Sequence, residues 1–375
     1  MNLLLHAATA SCADLLYLGG FDAPDAFTAL RVRGKTTALL NRLEFARAQK
    51  NSAFDTVLPL EEWTAKARKL RPRAFARHPS AATIATLAAG LRVREFAIPD
   101  SFPAALCDAL RKLGLRLRTT PEPFPARRIK SPEQAAAIRE GNRAAAAGIA
   151  AAERLLRRAR KTKAGALVLG GAPLTSERLK TAIEIACLEA GALSAGTIAA
   201  AGDQACDPHE TGHGPVRANE LVVVDVFPRV QKTGYHGDMT RTFLKGRASD
   251  AQRRLVATVR DAQQAALALL RPGVNGRKVH TAVEAFFEKA GYETKHTAAG
   301  STGFFHGTGH GLGLEIHEAP RVSRANNVLK KGTVVTVEPG LYYPGLGGCR
   351  IEDVAWLDGE KPTLLSDYGY EWELR

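Results

Sequence analysis

Leu221-Val222-Val223-Val224-Asp225, followed after a turn by Gly234-Tyr235-His236-Gly237-Asp238-Met239-Thr240-Arg241-Thr242, is the stretch from which the rest of the chain is read. The apolar run is typical of a buried strand and predicts one over Leu221–Phe227, with a return strand over Gly234–Phe243. Each strand carries an aspartate. The pattern recurs downstream, where Glu338 ends the strand expected over Val334–Glu338 and Glu352 lies in the one expected over Cys349–Trp356. A buried carboxylate must be paired, protonated or metal-bound, because an unpaired charge out of water is costly. Four at the ends of apolar strands exceed what two nearby arginines can neutralise.

The remaining partner is Phe305-His306-Gly307-Thr308-Gly309-His310-Gly311-Leu312-Gly313-Leu314-Glu315-Ile316-His317-Glu318. Its glycines let backbone and histidines approach a common centre. A single histidine here would more often be a satisfied structural residue. Four carboxylates with one histidine instead match an oxygen-rich two-metal site, and their charges balance two divalent ions. No thiolate is required. The five cysteines (Cys12, Cys107, Cys187, Cys206, Cys349) are scattered and contain no CxxC, which speaks for a reducing compartment and against a zinc-thiolate site.

Working outward, the second part of the chain is mixed. Helices are expected at Ser176–Ala190, Ser249–Leu270 and Gly276–Ala290. Ser131-Pro132-Glu133-Gln134 opens another that runs to about Arg160, with serine as N-cap and proline at the first position. Before it, Thr119–Pro125 holds three prolines in five residues, which suits neither helix nor central strand, so a domain boundary is placed near residue 125. Residues 1–125 read as an α/β domain. Strands are expected at Asp14–Leu18, Thr36–Leu40, Thr83–Leu87 and Glu95–Ile98, and helices at Asp25–Val32, Glu61–Leu70 and Phe102–Leu113.

The 375 residues are 45% hydrophobic and 24% charged, ordinary globular values that exclude collagen-like and disordered classes. The net charge of +14 is concentrated in residues 127–163, with 11 Lys/Arg against three Glu. Such a stripe attracts nucleic acid or acidic membrane in some proteins, but no accompanying nucleic-acid motif is present, and a solvated helix face is the simpler reading. Leu3-Leu4-Leu5 lacks a basic flank and Asp14 interrupts the apolar stretch, which disfavours a secretory signal. With no apolar run of about 18 residues, a cytoplasmic protein without membrane or nucleic-acid partners is expected.

Taken in order, the runs Gly234–Thr242, His306–Pro320, Val337-Glu338-Pro339-Gly340 and Arg350-Ile351-Glu352-Asp353 resemble the pita-bread metallopeptidases, in particular their Xaa-Pro branch of aminopeptidase P and prolidase. Ala13–Phe21 looks like the creatinase-like N-terminal domain, and Ile129-Lys130-Ser131-Pro132-Glu133 like the start of the catalytic domain. The resemblance implies a creatinase-like α/β domain over 1–125 and a pita-bread α+β catalytic domain over 126–375. It also implies hydrolysis of the Xaa-Pro bond in dipeptides or at peptide N-termini, and a homodimer.

Carried residue by residue, the resemblance makes Asp225, Asp238, His310, Glu338 and Glu352 metal ligands. Glu338 would manage the proton of the attacking water. His317 and His209 would bind the substrate carbonyl, with His213 the alternative to His209. His306 would contact substrate or support the residues that do, and Arg350 would orient Glu352 or meet a substrate carboxylate, a purely structural ion pair being an equal reading. Oxygen-rich ligation suits Mn²⁺, with Zn²⁺, Co²⁺ or Fe²⁺ as alternatives. Asp225 and Asp238 stand 13 positions apart, wider than the family usually shows, and the excess falls in the turn 227–233. Two other readings compete: a metal-dependent hydrolase of a small non-peptide amide, and a non-catalytic peptide- or nucleic-acid-binding module.

Overall fold

The computed structural model describes every residue except Ala299 and Tyr370. It divides into two units, Met1–Arg127 and Arg128–Arg375.

In the first unit Leu3-Leu4-Leu5 lies in strand β1 (Leu3–Ala7), buried on both faces. Leu3 and Leu5 enter one apolar cluster with Leu15 and Phe27, while Leu4 enters the other with Ile84 and Phe96. Helix α1 (Ala13–Gly19) follows, where a strand was expected over Asp14–Leu18. A short apolar run before Gly-Gly suits either element. Here Gly20 adopts φ +56° and its N–H donates to the Leu16 carbonyl at 2.7 Å, which makes it a helix cap.

The helix expected at Asp25–Val32 is instead β2 (Phe27–Val32), paired antiparallel with β1 and with β3 (Lys35–Leu40). Its phenylalanine, threonine and valine suit a strand, and Arg33-Gly34, both at positive φ, close a two-residue hairpin. After α2 (Arg42–Asn51), β4 (Thr56–Pro59), α3 (Leu60–Leu70) and α4 (Pro72–Arg77) comes α5 (Pro79–Gly90). Helix α5 absorbs the strand expected at Thr83–Leu87; its residues from Ala81 to Ala88 are all buried, so no polar stripe marks its period. The elements β5 (Glu95–Pro99), α6 (Ala104–Lys112) and β6 (Arg116–Thr120) complete a six-stranded sheet of order β4-β3-β2-β1-β5-β6. Thr119 and Thr120, read as linker, end its last strand.

The second unit opens with α7 (Pro132–Arg158), started by a reciprocal capping box between Ser131 and Gln134. With α8 (Ser176–Glu189) it covers a sheet of the strands Ile198–Ala201, Leu221–Val226, Met239–Lys245 and Glu373–Leu374. Helices α9 (Asp250–Leu269) and α10 (Gly276–Lys289) pack into the apolar cluster that also takes in the strand residues Val335, Val337 and Ala355. Val334–Val337 and Asp353–Trp356 are central in a second, five-stranded sheet. Along Leu221–Val226 the alternation sends Val222, Val224 and Val226 to the helices and leaves Asp225 on the opposite face.

Two expected strands differ in extent. The return strand begins at Met239, so Asp238 stands one residue before it. The span Cys349–Trp356 breaks at Ile351-Glu352 into the end of Gly347–Arg350 and Asp353–Trp356. The long turn after Asp225 is itself structured: Arg229–Val230 pairs with Ala192–Leu193. The basic stripe is partly consumed within the fold, since Arg157 pairs with Glu153 and Glu371, and Lys130 with Glu318. Among the described residues no helix is long and apolar enough to cross a membrane.

Helix α7 reaches the loop before Asp238 through a glycine–glycine contact. A Cβ on Gly141 would lie 2.3 Å from the Gly237 nitrogen, and one on Gly237 would lie 2.0 Å from the Gly141 carbonyl carbon. Gly→Ala inside a helix ordinarily stabilises. Gly141→Ala is expected to reverse that sign and destabilise by about 1–3 kcal/mol, because backbone, not a flexible side chain, must move. Denaturant unfolding would measure it, and a variant more stable than the parent would refute the contact.

Candidate functional site

The open face of the Leu221–Val226 strand and the loops beside it enclose a cavity of about 810 Å³. Every site residue expected from the sequence lines it: Asp225, Asp238, His310, Glu338 and Glu352, with His209, His306, His317 and Arg350. His213 does not. It is exposed, and its backbone N–H and carbonyl are both bonded to the Gln204 side chain.

Each acidic side chain is placed by backbone bonds across elements. Asp225 sits in mid-strand opposite Ile198 and Thr240. Asp238 donates its N–H to the buried Asn142 of α7 at 3.0 Å. The Glu338 N–H reaches the Thr308 carbonyl at 2.8 Å, and the Glu352 N–H the Thr240 carbonyl at 3.1 Å. Thr336 ties two members together, because its hydroxyl accepts from the His310 N–H at 3.0 Å and donates to Glu338 at 3.1 Å. Gly309 permits this: a Cβ there would lie 1.9 Å from the Thr336 carbonyl oxygen.

Arg350 is fully committed. It donates to Asp225 Oδ2 at 2.7 Å, to Tyr342 OH at 3.0 Å and to Thr240 Oγ1 at 3.3 Å. Tyr342 OH in turn lies 2.8 Å from His306 Nε2, while His306 Nδ1 faces the Gly307 carbonyl at 2.8 Å. A carbonyl only accepts, so Nδ1 carries the ring proton and Nε2 accepts from Tyr342. Both nitrogens of His306 are thus engaged within the protein.

The same logic fixes His310. Its Nδ1 faces the Gly311 carbonyl at 3.1 Å, and burial lowers its pKa to about 3, so the ring is neutral with the Nε2 lone pair bare. That lone pair points at Asp238 Oδ2, 3.5 Å away, and at Glu338 Oε1, 3.3 Å away. Asp238, His310 and Glu352 also bring one ligand atom each to within 4.8 Å of one another. Burial, then neighbouring carboxylates, push Asp238 and Glu352 well above the usual range; burial, with Asp225 adding to it and Arg350 opposing, pushes Glu338 to about 7. Asp225 Oδ1 is buried with no hydrogen-bond partner among the described residues. Among the described residues the acceptors that converge here outnumber the donors that reach them from Arg350, Thr240 and Thr336, which is the environment a divalent cation fits.

The histidines differ in exposure. His317 stacks edge-on against His310, with ring centroids 4.4 Å apart, and stands exposed on the cavity wall. His209 is also exposed and lines the same cavity. Sequence reasoning missed Arg321, which lines the cavity four residues after His317 and has no side-chain hydrogen bond or ion pair among the described residues. Only its strand position, on Glu318–Val322 beside His310, could have signalled it. Tyr342 was missed because it reads as a core residue. Lys130 was noticed only within a domain-start motif, yet its buried ammonium bonds Glu318 at 2.9 Å and so holds the loop carrying His317.

Residues 136–357 match the family model of metallopeptidase family M24. The chain is 36% identical over 159 residues to an Xaa-Pro dipeptidase of Pyrococcus furiosus, covering 42% of this chain and 43% of the relative, so the match spans less than half of that protein. Among solved structures, an Xaa-Pro dipeptidase from Bacillus anthracis superposes with TM-score 0.81 at 22% identity, over 99% of this chain and 94% of the other. An X-Pro aminopeptidase from Thermotoga maritima does so with TM-score 0.80 at 20% identity, over 99% and 96%. The pita-bread fold is therefore shown for the chain.

A cation entering this cluster must displace protons from the raised carboxyls. Without it, folded Glu338 keeps its proton from the ordinary 4.5 up to about 7, where an unfolded glutamate has lost it, so stability from this group falls as pH rises across that window. The gain in Tm between chelator-stripped and Mn²⁺-loaded protein should accordingly grow as pH rises from 4.5 to 7. Addition of Mn²⁺ at pH 6 should release protons in a weakly buffered titration. A pH-independent gain with no proton release would overturn the cluster as the binding site.

Proposed function

We propose that this chain, which belongs to metallopeptidase family M24, hydrolyses the bond between a first residue and a following proline. The observation that carries the reading is the convergence of buried carboxylates and the bare Nε2 of His310 at the floor of the cavity. Asp225, Asp238, His310, Glu338 and Glu352 would hold two divalent ions, which when bound act as Lewis acids and make water a competent nucleophile near neutral pH.

The protein's own groups account for the rest. Glu338 Oε1 faces His310 and Thr336, which leaves Oε2 to take the proton of the attacking water and return it to the leaving nitrogen. His317 and His209 stand on the cavity wall, where an imidazole N–H can donate to the scissile carbonyl as it becomes an anion, a contribution of about 3–4 kcal/mol per donor. Arg350 is spent on Asp225 and Tyr342, so it orients a ligand and leaves His306 with a supporting place behind Tyr342. Arg321 is the uncommitted cation of the cavity, suited to the carboxylate of a dipeptide. Dipeptides are thus the preferred substrates in this reading. Mn²⁺ suits four carboxylates with one imidazole, and a cytoplasmic homodimer completes the proposal.

Hydrolysis of Ala-Pro, Ala-Pro-Ala, Ala-Ala and Ala-Ala-Ala by chelator-stripped and Mn²⁺-reloaded protein tests it. Metal-dependent cleavage confined to the proline substrates is expected, and metal binding without any cleavage would move the reading to a non-peptide amide. Glu338→Gln should lower kcat by about 10²–10⁴-fold. Arg321→Ala should raise KM for Ala-Pro more than for Ala-Pro-Ala, and equal effects would remove the dipeptide preference.

A further inference from the structure

A second cavity, of about 430 Å³, opens at one end of the six-stranded sheet of the first unit. Three connections meet there: the Arg33-Gly34 hairpin turn, the link from α5 to β5 through Arg92 and Arg94, and the turn at Gly114 that leads into β6 at Arg116. Arg33, Arg92, Arg94 and Arg116 line the cavity together with Asn2 and one carboxylate, Glu95. Among the described residues no hydrogen bond or ion pair engages any of the four guanidiniums. Glu95 pairs with Arg118, whose nitrogen lies 3.1 Å away. Four exposed arginines therefore line one concavity with a single carboxylate among them.

The backbone supplies an independent observation. Arg33 has φ +51° and Arg92 φ +55°; with Asn219 they are the only non-glycine residues at positive φ among those described. Glycine or asparagine fits such positions more easily than a long side chain does. Asn2 holds the first of these turns, accepting the Arg33 N–H at 3.2 Å while donating to the Glu95 carbonyl at 3.3 Å. Two separate connections thus place a guanidinium where backbone preference argues against one, and both border the same cavity.

We propose that this cleft is a binding site for a small organic bisphosphate. Forked guanidinium donors match phosphate oxygens in pairs. The volume falls within the range of small-molecule sites. Arginines from three connections suit two separated phosphate groups better than one.

Fructose 1,6-bisphosphate serves as the probe, with fructose and inorganic phosphate for comparison, in calorimetric titrations of the full chain at constant ionic strength. The double variant Arg33→Asn/Arg92→Asn keeps residues that tolerate left-handed backbone and removes two charges. Arg154→Asn/Arg158→Asn removes the same charge from α7 as a control. Saturable 1:1 binding is expected for the parent and the α7 control, weaker binding for phosphate and none for fructose. The cleft variant should bind the bisphosphate at least tenfold more weakly with Tm unchanged or raised. No saturable binding by the parent would overturn the site. So would undiminished binding by the cleft variant, or equal losses in both variants, which would mark general attraction to a basic chain.

Discussion

The second unit is organised around one electrostatic conflict, carboxylates crowded into a space from which water is largely excluded. Asp225, Asp238, Glu338 and Glu352 are delivered by separate segments, and Arg350 and the Thr240 and Thr336 hydroxyls satisfy only part of their acceptor capacity. Such an arrangement is costly for an empty protein. It persists because apolar sheets and helices over-determine where those side chains sit. Much of the surrounding architecture can be understood as support for that position: the α7 glycine contact, the Thr336 bridge and the Arg350–Tyr342–His306 chain each remove a freedom that the repulsion would otherwise exploit.

Much of this was legible in the sequence because carboxylates at the ends of valine runs have few explanations. The strand around Asp225 could be placed from local chemistry alone, while the choice of His310 among the histidines of its glycine-rich run came from the family resemblance. Helix α7 was equally plain, since Ser131 and Gln134 form the capping box that their spacing suggests. What was hidden depended on tertiary context. Asp14–Leu18, Phe27–Val32 and Thr83–Leu87 are short apolar segments whose period is ambiguous, and the Gly20 cap, the hairpin pairing of Phe27–Val32 and the all-round burial of Thr83–Leu87 decide between helix and strand. Arg321, Tyr342 and Lys130 were hidden for another reason. An arginine, a core tyrosine and a lysine carry no signal until the chain brings them to the site.

The turn after Asp225 is braced at both ends. Arg229–Val230 docks on Ala192–Leu193, and the Gly237 N–H closes back on the Pro228 carbonyl at 2.9 Å. The turn thus sits at the rim, next to Phe227 on the cavity wall.

The Lys130–Glu318 pair bears on where this chain can be cut. Its side chains are 2% and 6% exposed and their residues lie 188 positions apart. The stretch that matches the family model begins at residue 136, beyond both Lys130 and the Ser131 cap. A fragment trimmed to that match would strand Glu318 without its buried ammonium and open the first turn of α7. Loss of one partner of a buried ion pair destabilises by about 3–5 kcal/mol, a large part of the whole stability of a domain. The edge of the family-model match and the edge of a fragment that keeps this buried pair are therefore different places in this chain.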